Sequence, residues 1–284
     1  MVAAGLWLRP RHLPPAPLTP PRMVAPAERV VPVPGKIRAT GDPVAAAPAV
    51  VGRQGRAPLP TRPAAPQVAI VIDDLGDSLD TAKKVLALKP AVTVAVIPFR
   101  SASAAVAAAA VADGREVILH LPLEPDRSAE MAGGSGFLRT AMQPADLEGQ
   151  LERDLRAVPY IVGVNGHMGS RFTSDPTAMR TLLGALRERG LFFLDSKTSP
   201  ESVAAKVAHG LQVPFAERNV FLDHDPTPAA IERALAAATS VAREVGQAIA
   251  IGHPHATTLA ALSTWLPEAV RQGIEVVPVS ALVR

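Results

Sequence analysis

The chain has 284 residues, 48% hydrophobic but only 4% aromatic, which supplies one sizeable core and argues against a glycan-binding surface of many stacked rings. It has no cysteine, which excludes disulfides and thiolate metal sites and leaves His, Asp and Glu as strong ligands. Its net charge of +3 is uneven: residues 1–66 hold nine basic against two acidic side chains (9 − 2 = +7), whereas residues 67–284 hold 20 basic and 24 acidic ones (20 − 24 = −4), so nothing favours nucleic-acid binding by the latter part.

Residues 1–66 also carry 15 of the 29 prolines, including Pro14-Pro15 and Pro20-Pro21, and show no apolar period. This composition predicts a disordered, basic Pro/Ala-rich tail or linker, with contact to an anionic lipid or polymer as the functional alternative. Residues 1–8 are apolar and Arg9 follows them, the reverse of the usual export-signal order. Either a degraded or mis-started signal or an ordinary apolar N-terminus fits. No run reaches ~18 uninterrupted apolar residues, so no transmembrane helix is expected.

From Gln67 the pattern alternates between strands and helices. A buried strand is expected at 68–72, a helix at 78–88, a strand at 92–97 stopped by Pro98, an Ala-rich helix at 102–112 and a strand at 116–119. A Gly-rich loop (Gly133, Gly134, Gly136) precedes a helix at 144–157 and a strand at 160–164. A helix at 177–189, a strand at 191–194, a short helix at 202–208 and a strand at 220–222 come next. The remainder reads as a helix at 228–245, a strand at 248–251, a helix at 257–271 and a last strand at 274–279. Seven to eight mainly parallel strands joined by helices predict an α/β fold, an irregular and possibly incomplete (β/α) barrel.

In such folds reactive groups collect where strands end. The first strand ends in Asp73-Asp74-Leu75-Gly76. Two adjacent carboxylates are comfortable with a cation between them, or with a shared proton. A helix cap needs only one acid, and Asp77 and Ser78 are the neighbouring cap candidates. His120 and Glu124 lie four residues apart after the third strand, within reach of one ion if the segment turns. Small residues surround Asn165 and His167 in the segment Gly163 to Arg171, which includes Ser170. Asp195 closes another strand, and His253 and His255 follow a late one, where packing explains them poorly. Four of the seven histidines thus fall at predicted strand ends, with His224, in Asp223-His224-Asp225, as a weaker fifth.

These blocks, Ile72 to Gly76, His120 to Pro125, Asn165 to Ser170, Leu194 to Ser196 and Ile251 to His255, resemble the divergent polysaccharide deacetylases, distant relatives of the NodB-type carbohydrate esterases. The resemblance covers nearly all of residues 67–284. It implies an irregular (β/α) barrel, Asp73 as catalytic base, Asp74 and His120 as ligands of one divalent metal ion, zinc first among candidates, and His253 as catalytic acid. In NodB-type enzymes a second histidine follows the first by four residues; here that position is Glu124, and the usual Arg-Pro-Pro-Tyr-Gly block is replaced by Asn165 to Arg171. The third ligand is therefore Glu124 or His167, and the frequency of imidazole among metal ligands favours His167. Asn165, Ser170, Arg171, Asp195, His255 and the remaining Glu124 are expected to orient these groups or bind substrate.

The implied activity is metal-assisted deacetylation of an envelope polysaccharide, of peptidoglycan type among others, in the periplasm or outside the cell. The rival reading is a non-catalytic envelope module of the same fold that binds glycan or a protein partner. A phosphotransferase with Asp73 as nucleophile fits less well, because position 75 is Leu and no Gly-rich phosphate loop with Lys follows a strand.

Overall fold

The computed structural model describes residues 65–90, 92–126 and 136–284. The expected tail over 1–66 falls outside these residues except at its last two positions, as do Gly133 and Gly134 of the Gly-rich loop. The elements in chain order are β1 (Gln67–Leu75), α1 (Leu79–Leu86), β2 (Thr93–Val96), α2 (Ser103–Ala112), β3 (Val117–Leu123), α3 (Pro144–Ala157), β4 (Gly163–Met168), α4 (Ser170–Ser174), α5 (Pro176–Glu188), β5 (Phe192–Asp195), α6 (Ala204–Leu211), β6 (Phe215–Glu217), β7 (Val220–Phe221), α7 (Pro228–Val245), β8 (Gln247–Gly252), α8 (Ala256–Arg271) and β9 (Glu275–Val276). A 3-10 helix, Val279–Leu282, takes the place of the later part of the expected last strand.

All the strand pairings are parallel, in the order β6-β5-β4-β3-β2-β1-β8-β7, and β9 adds to the start of β1. The two ends of this row, β6 and β7, do not pair with each other. Only Arg218 and Asn219 separate them in the chain, so the sheet has to curl until its edges meet. Asn219 bonds to β8 through its N–H to the Ile249 carbonyl (2.9 Å) and its Oδ1 from the Ile249 N–H (2.7 Å), while the Arg218 N–H donates to the Asp195 carbonyl of β5 (3.0 Å). The result is the irregular barrel expected from the strand count. The sequence reading missed β6 and α4, which are too short to show a period.

Successive side chains of a strand face opposite sides of the sheet. In β1, Val68, Ile70 and Ile72 pack against the helices, together with residues such as Val85, Leu151 and Leu262. Ala69 and Val71 join Ala95, Ile118, Leu194, Ile249 and Ile251 in a smaller core within the curl, closed by Val277, Val279 and Leu282. The helix ends follow from local chemistry. Ser78 Oγ caps α1 by accepting from the N–H groups of Asp80 and Thr81, which leaves Asp73 and Asp74 outside the cap. Asp175 caps α5 with Pro176 in the first turn, and α7 starts at Pro228 and stops at Gly246, whose φ is 90°.

Two glycines distinguish close packing from open space. A Cβ on Gly163 would lie 2.4 Å from the Phe192 ring, whereas one on Gly184 in α5 would touch nothing within 4 Å. Gly163→Ala should cost about 1–3 kcal/mol through overpacking, and Gly184→Ala should stabilise by about 0.5–1 kcal/mol, both read from urea unfolding midpoints.

Asp154 is fully buried on α3. Gln150 Nε2 donates to its Oδ1 at 2.8 Å, and its Oδ2 has no partner. Burial pushes this carboxyl up to about 7, against the opposing influence of Gln150 and Arg153. An unfolded Asp titrates near ~3.9, so between that value and neutrality the folded chain keeps a proton that the unfolded chain has released. The stability contributed by this proton is full below about pH 4 and is lost as pH rises through about 7. Asp154→Asn should flatten that slope, removing about 1–3 kcal/mol of the difference in unfolding free energy between roughly pH 5 and pH 8.

Candidate functional site

Parallel pairing brings all the strand C-termini to one rim. Strand alternation then selects which side chains look into the curl. In β1, Asp73 follows Ala69 and Val71 on the inner face; in β3, His120 follows Ile118; in β4, Asn165 and His167 alternate with Val164, which faces the helices. His253 follows Ile249 and Ile251 directly beyond β8. Register sets His120 beside Asn165 and Pro122 beside His167. By the same alternation Asp74 should face outward. It does not, because the β1–β2 register shifts between Ile72 and Leu75 and Asp74 takes a left-handed conformation with φ 57°. This bulge turns a second consecutive carboxylate toward the same site.

Asp74 Oδ1 lies 3.2 Å from His120 Nε2 and 3.0 Å from His167 Nδ1, and these two nitrogens are 3.1 Å apart. The oxygen is buried and has no hydrogen bond of acceptable geometry, despite the two short distances. Three ligand atoms therefore surround one point with edges close to the ~3.3 Å expected between donors of a tetrahedral ion with bonds of ~2.0–2.1 Å. The donor set, one carboxylate and two imidazoles, also suits zinc.

Asn165 fixes which nitrogen of His120 is bare. Its Nδ2 donates to Asp73 Oδ1 at 2.8 Å, so its Oδ1, 2.9 Å from His120 Nδ1, is left to accept a proton from that nitrogen. In the neutral ring, His120 Nε2 is then the lone-pair atom facing Asp74 and His167. A ligand histidine that donates its other N–H to a fixed acceptor is the usual support around metals.

The electrostatics also call for a cation. Burial works against a charge on His120, but Asp73 and Asp74 outweigh it and raise the imidazole's pKa to about 9. Burial likewise opposes the charge on Asp74, and its contacts with His120 and His167 reverse this and hold it well below the usual carboxylate range. Asp73, buried more completely, is pushed upward by that burial against the pull of His120 and Asn165. A divalent ion bound to Asp74, His120 and His167 would supply the positive charge that a second proton on His120 otherwise provides.

A second group flanks the first. Asp223 Oδ1 is 2.9 Å from His253 Nδ1, and its Oδ2 accepts from the His253 N–H and from Thr258 Oγ1, both at 2.7 Å. Burial opposes the charge on His253, and Asp223 overcomes it and raises the histidine's pKa. His253 Nε2 lies 3.7 Å from Asp74 Oδ2. Asp223 is not among the residues expected from sequence although it follows an expected strand, because nothing local shows that it pairs with a histidine 30 residues later. His255 is exposed, with its ring 5.8 Å from that of His253, and it forms with Asp223 and His253 a second set of ligand-type atoms. A cavity of about 360 Å³ opens beside both groups, lined by Asp73, His120, Ser196, Arg218, Phe221 and His253 among others.

The remaining candidates are engaged elsewhere. Glu124 Oε2 accepts from both the N–H and the hydroxyl of Thr140 at 2.7 Å, and Glu124 Oε1 lies 3.7 Å from Arg171 Nε. The structure thus places His167, and not Glu124, beside Asp74 and His120. Ser170 Oγ accepts from the Asp126 N–H at 2.9 Å, tying the same segment to α4. Asp195 stands on the outward face, alternating with Phe192 and Leu194, and accepts from the Lys197 N–H and the Ser202 hydroxyl. It supports the β5 turn without reaching the three-ligand cluster.

Residues 70–283 match the family model described as divergent polysaccharide deacetylase. The chain is 37% identical over 200 residues to an uncharacterized protein of Haemophilus influenzae, covering 70% of this chain and 71% of that one. It is 37% identical over 196 residues to the uncharacterized protein YibQ of Escherichia coli K12, covering 69% of this chain and 61% of YibQ. A crystal structure of an uncharacterized protein of Agrobacterium tumefaciens C58 aligns with a TM-score of 0.75 at 31% identity, covering 78% of this chain and 90% of that one.

The geometry makes Asn165 a support of the His120 ring and keeps Glu124 out of the three-atom cluster. Asn165→Ala should weaken zinc affinity about 10–100-fold by freeing the His120 ring. Glu124→Gln should leave it unchanged. Both are measured by competition with a chromogenic chelator.

Proposed function

The chain belongs to the divergent polysaccharide deacetylase family, and we propose that it is a metal-dependent hydrolase that removes an acetyl group from an envelope polysaccharide. The observation that carries this reading is the convergence of Asp74, His120 and His167 on one point, with a separate buried acid, Asp73, and a separate histidine, His253, on its flanks. A divalent ion held by these three side chains, zinc by its fit to the donor set, would polarise the acetyl carbonyl and lower the pKa of water.

The chain's own residues supply the proton transfers. Asp73 is the base: burial raises its proton affinity, and Asn165 holds one of its oxygens in place. His253 is the acid. Asp223 fixes Nδ1 as the protonated nitrogen bonded to the carboxylate and favours the imidazolium, so Nε2 is the atom that releases a proton to the leaving nitrogen or oxygen. The role resembles that of an oriented histidine with a buried carboxylate behind it. An envelope substrate places the protein in the periplasm or outside the cell, and among the described residues no helix is long and apolar enough to cross a membrane.

The full chain, purified without chelator, should hold close to one equivalent of a divalent metal by elemental analysis, and Asp74→Ala should lose it. Asp73→Asn should keep the metal and lower acetate release about 10²–10⁴-fold. His253→Gln should slow N-deacetylation more than O-deacetylation, because an amine needs a proton to leave. Absence of metal after reconstitution, with no acetate released from any acetylated glycan, would instead favour a non-catalytic glycan-binding module.

A further inference from the structure

The two-residue link that closes the barrel places an arginine at the seam. The Arg218 backbone is tied to β5 and that of Asn219 to β8, so the side chain starts from a fixed point. Arg218 Nε donates to the Ser196 carbonyl at 2.6 Å and Nη2 to the Lys197 carbonyl at 2.9 Å. The guanidinium carbon stands 4.9 Å from the centroid of the Phe221 ring. All three partners are neutral. The adjacent Lys197 is paired with Glu217 at 3.1 Å, whereas Arg218 has no ion-pair partner among the described residues. A guanidinium has five N–H donors; two are used here and three remain. Among the described residues Nη1 has no hydrogen-bond partner, and it is not a buried atom.

Burial also acts against this cation. It lowers the Arg218 pKa, against the pull of Asp195 and Asp73. Asp195 and Asp73 act on it only from a distance, with no carboxylate of the described residues in ion-pair contact, so this half-buried cation held by carbonyls and a ring is incompletely compensated. The same side chain lines the cavity that Asp73, His120 and His253 line, and Phe221 touches both ends of it, with its ring 5.6 Å from that of His253. A sphere with the volume of this cavity, about 360 Å³, would be only about 9 Å across, close to the reach of one or two sugar units.

We propose that Arg218 anchors an anionic group of the substrate, so that the sugar deacetylated at this site carries a carboxylate on the acetylated unit or its neighbour. A planar guanidinium with free N–H donors pairs with a carboxylate through two parallel bonds, which fixes the orientation of the sugar as well as its charge. The acetyl group then meets the Asp74, His120 and His167 cluster while the carboxylate meets Arg218. The inference rests on the deacetylase reading for its chemistry but not for the binding itself.

The test uses the full-length protein with zinc added and three oligosaccharides of equal length: a neutral N-acetylglucosamine oligomer, an oligomer in which alternate units are N-acetylmuramic acid with a free lactyl carboxylate, and the same oligomer with that carboxylate converted to its methyl amide. Acetate release and equilibrium binding are both measured. The expected result is a preference for the acid over its amide of roughly 10- to 100-fold in kcat/KM, the size of one charged hydrogen-bonded contact. Arg218→Gln should bring the ratio of acid to amide toward one, and Arg218→Lys should restore part of it. Equal handling of acid and amide by the wild type would overturn the proposal, as would a ratio unchanged in Arg218→Gln. If no oligomer is hydrolysed, tighter binding of the acid that depends on Arg218 would sustain the anion site while the deacetylase reading fails. Equal binding of all three would overturn the anion site.

Discussion

The site depends on one constraint, the two-residue alternation of side chains along parallel strands that share a single rim. Alternation sends Val68, Ile70 and Ile72 toward the helices and sends Ala69, Val71 and Asp73 into the curl. The same rule, applied to β3, β4 and β8, sends His120, Asn165, His167 and His253 to one place from strands far apart in sequence. A one-residue slip in any of them would exchange a functional group for a core aliphatic one, so core packing and site geometry are specified together. Asp74 is the exception that completes the set, and it needs a bulge and a left-handed backbone to get there. Asp tolerates that conformation better than most side chains.

The cluster concentrates negative charge where water is scarce. Asp73 and Asp74 are consecutive, and burial raises the energy of both charges. Asn165 answers part of this by giving one amide proton to Asp73 while its carbonyl takes one from His120. Asp73 and His120 are thus linked through a single neutral side chain that is itself fully buried. Asp223 performs the same task on the other flank with a full charge, which favours the protonated form of His253. Both imidazoles have a raised pKa and hold Nδ1 against a fixed acceptor; what differs is that acceptor, a neutral amide behind His120 and a carboxylate behind His253.

Most of the helices and the acid and histidine clusters were legible in the sequence because each is a local pattern. Helix α7 runs from Pro228 to Val245, between a starting proline and a closing glycine, as composition alone predicts. Two strands were expected to end too early. Val117–Leu123 and Gly163–Met168 extend through Pro122 and through three small or polar residues that look like a turn, since burial on both faces replaces the alternation a half-exposed strand would show. Asp195 illustrates a different failure. Its position at a strand end was right, but which face it occupies depends on a register that a four-residue strand does not reveal. Arg218 carried no signal at all, because its importance comes from a barrel seam that exists only after folding.

The exchange of histidine for Glu124 changes how a ligand set is held. Two ligands four residues apart depend on the shape of the segment between them. Here His120 and His167 come from adjacent strands whose hydrogen-bonded register already fixes their spacing. Side chains on paired strands are positioned more rigidly than those on loops, so a metal would meet a set that is formed before it arrives. Glu124, relieved of ligation, is available to bind Thr140 and lie near Arg171, and the Asp126 N–H bonds Ser170 in the same region. These contacts lash both ends of the 124–140 segment to β3 and α4 at the edge of the site. Glu124 therefore puts its charge in the frame around the cluster, while His167 stands beside Asp74 and His120 from the neighbouring strand.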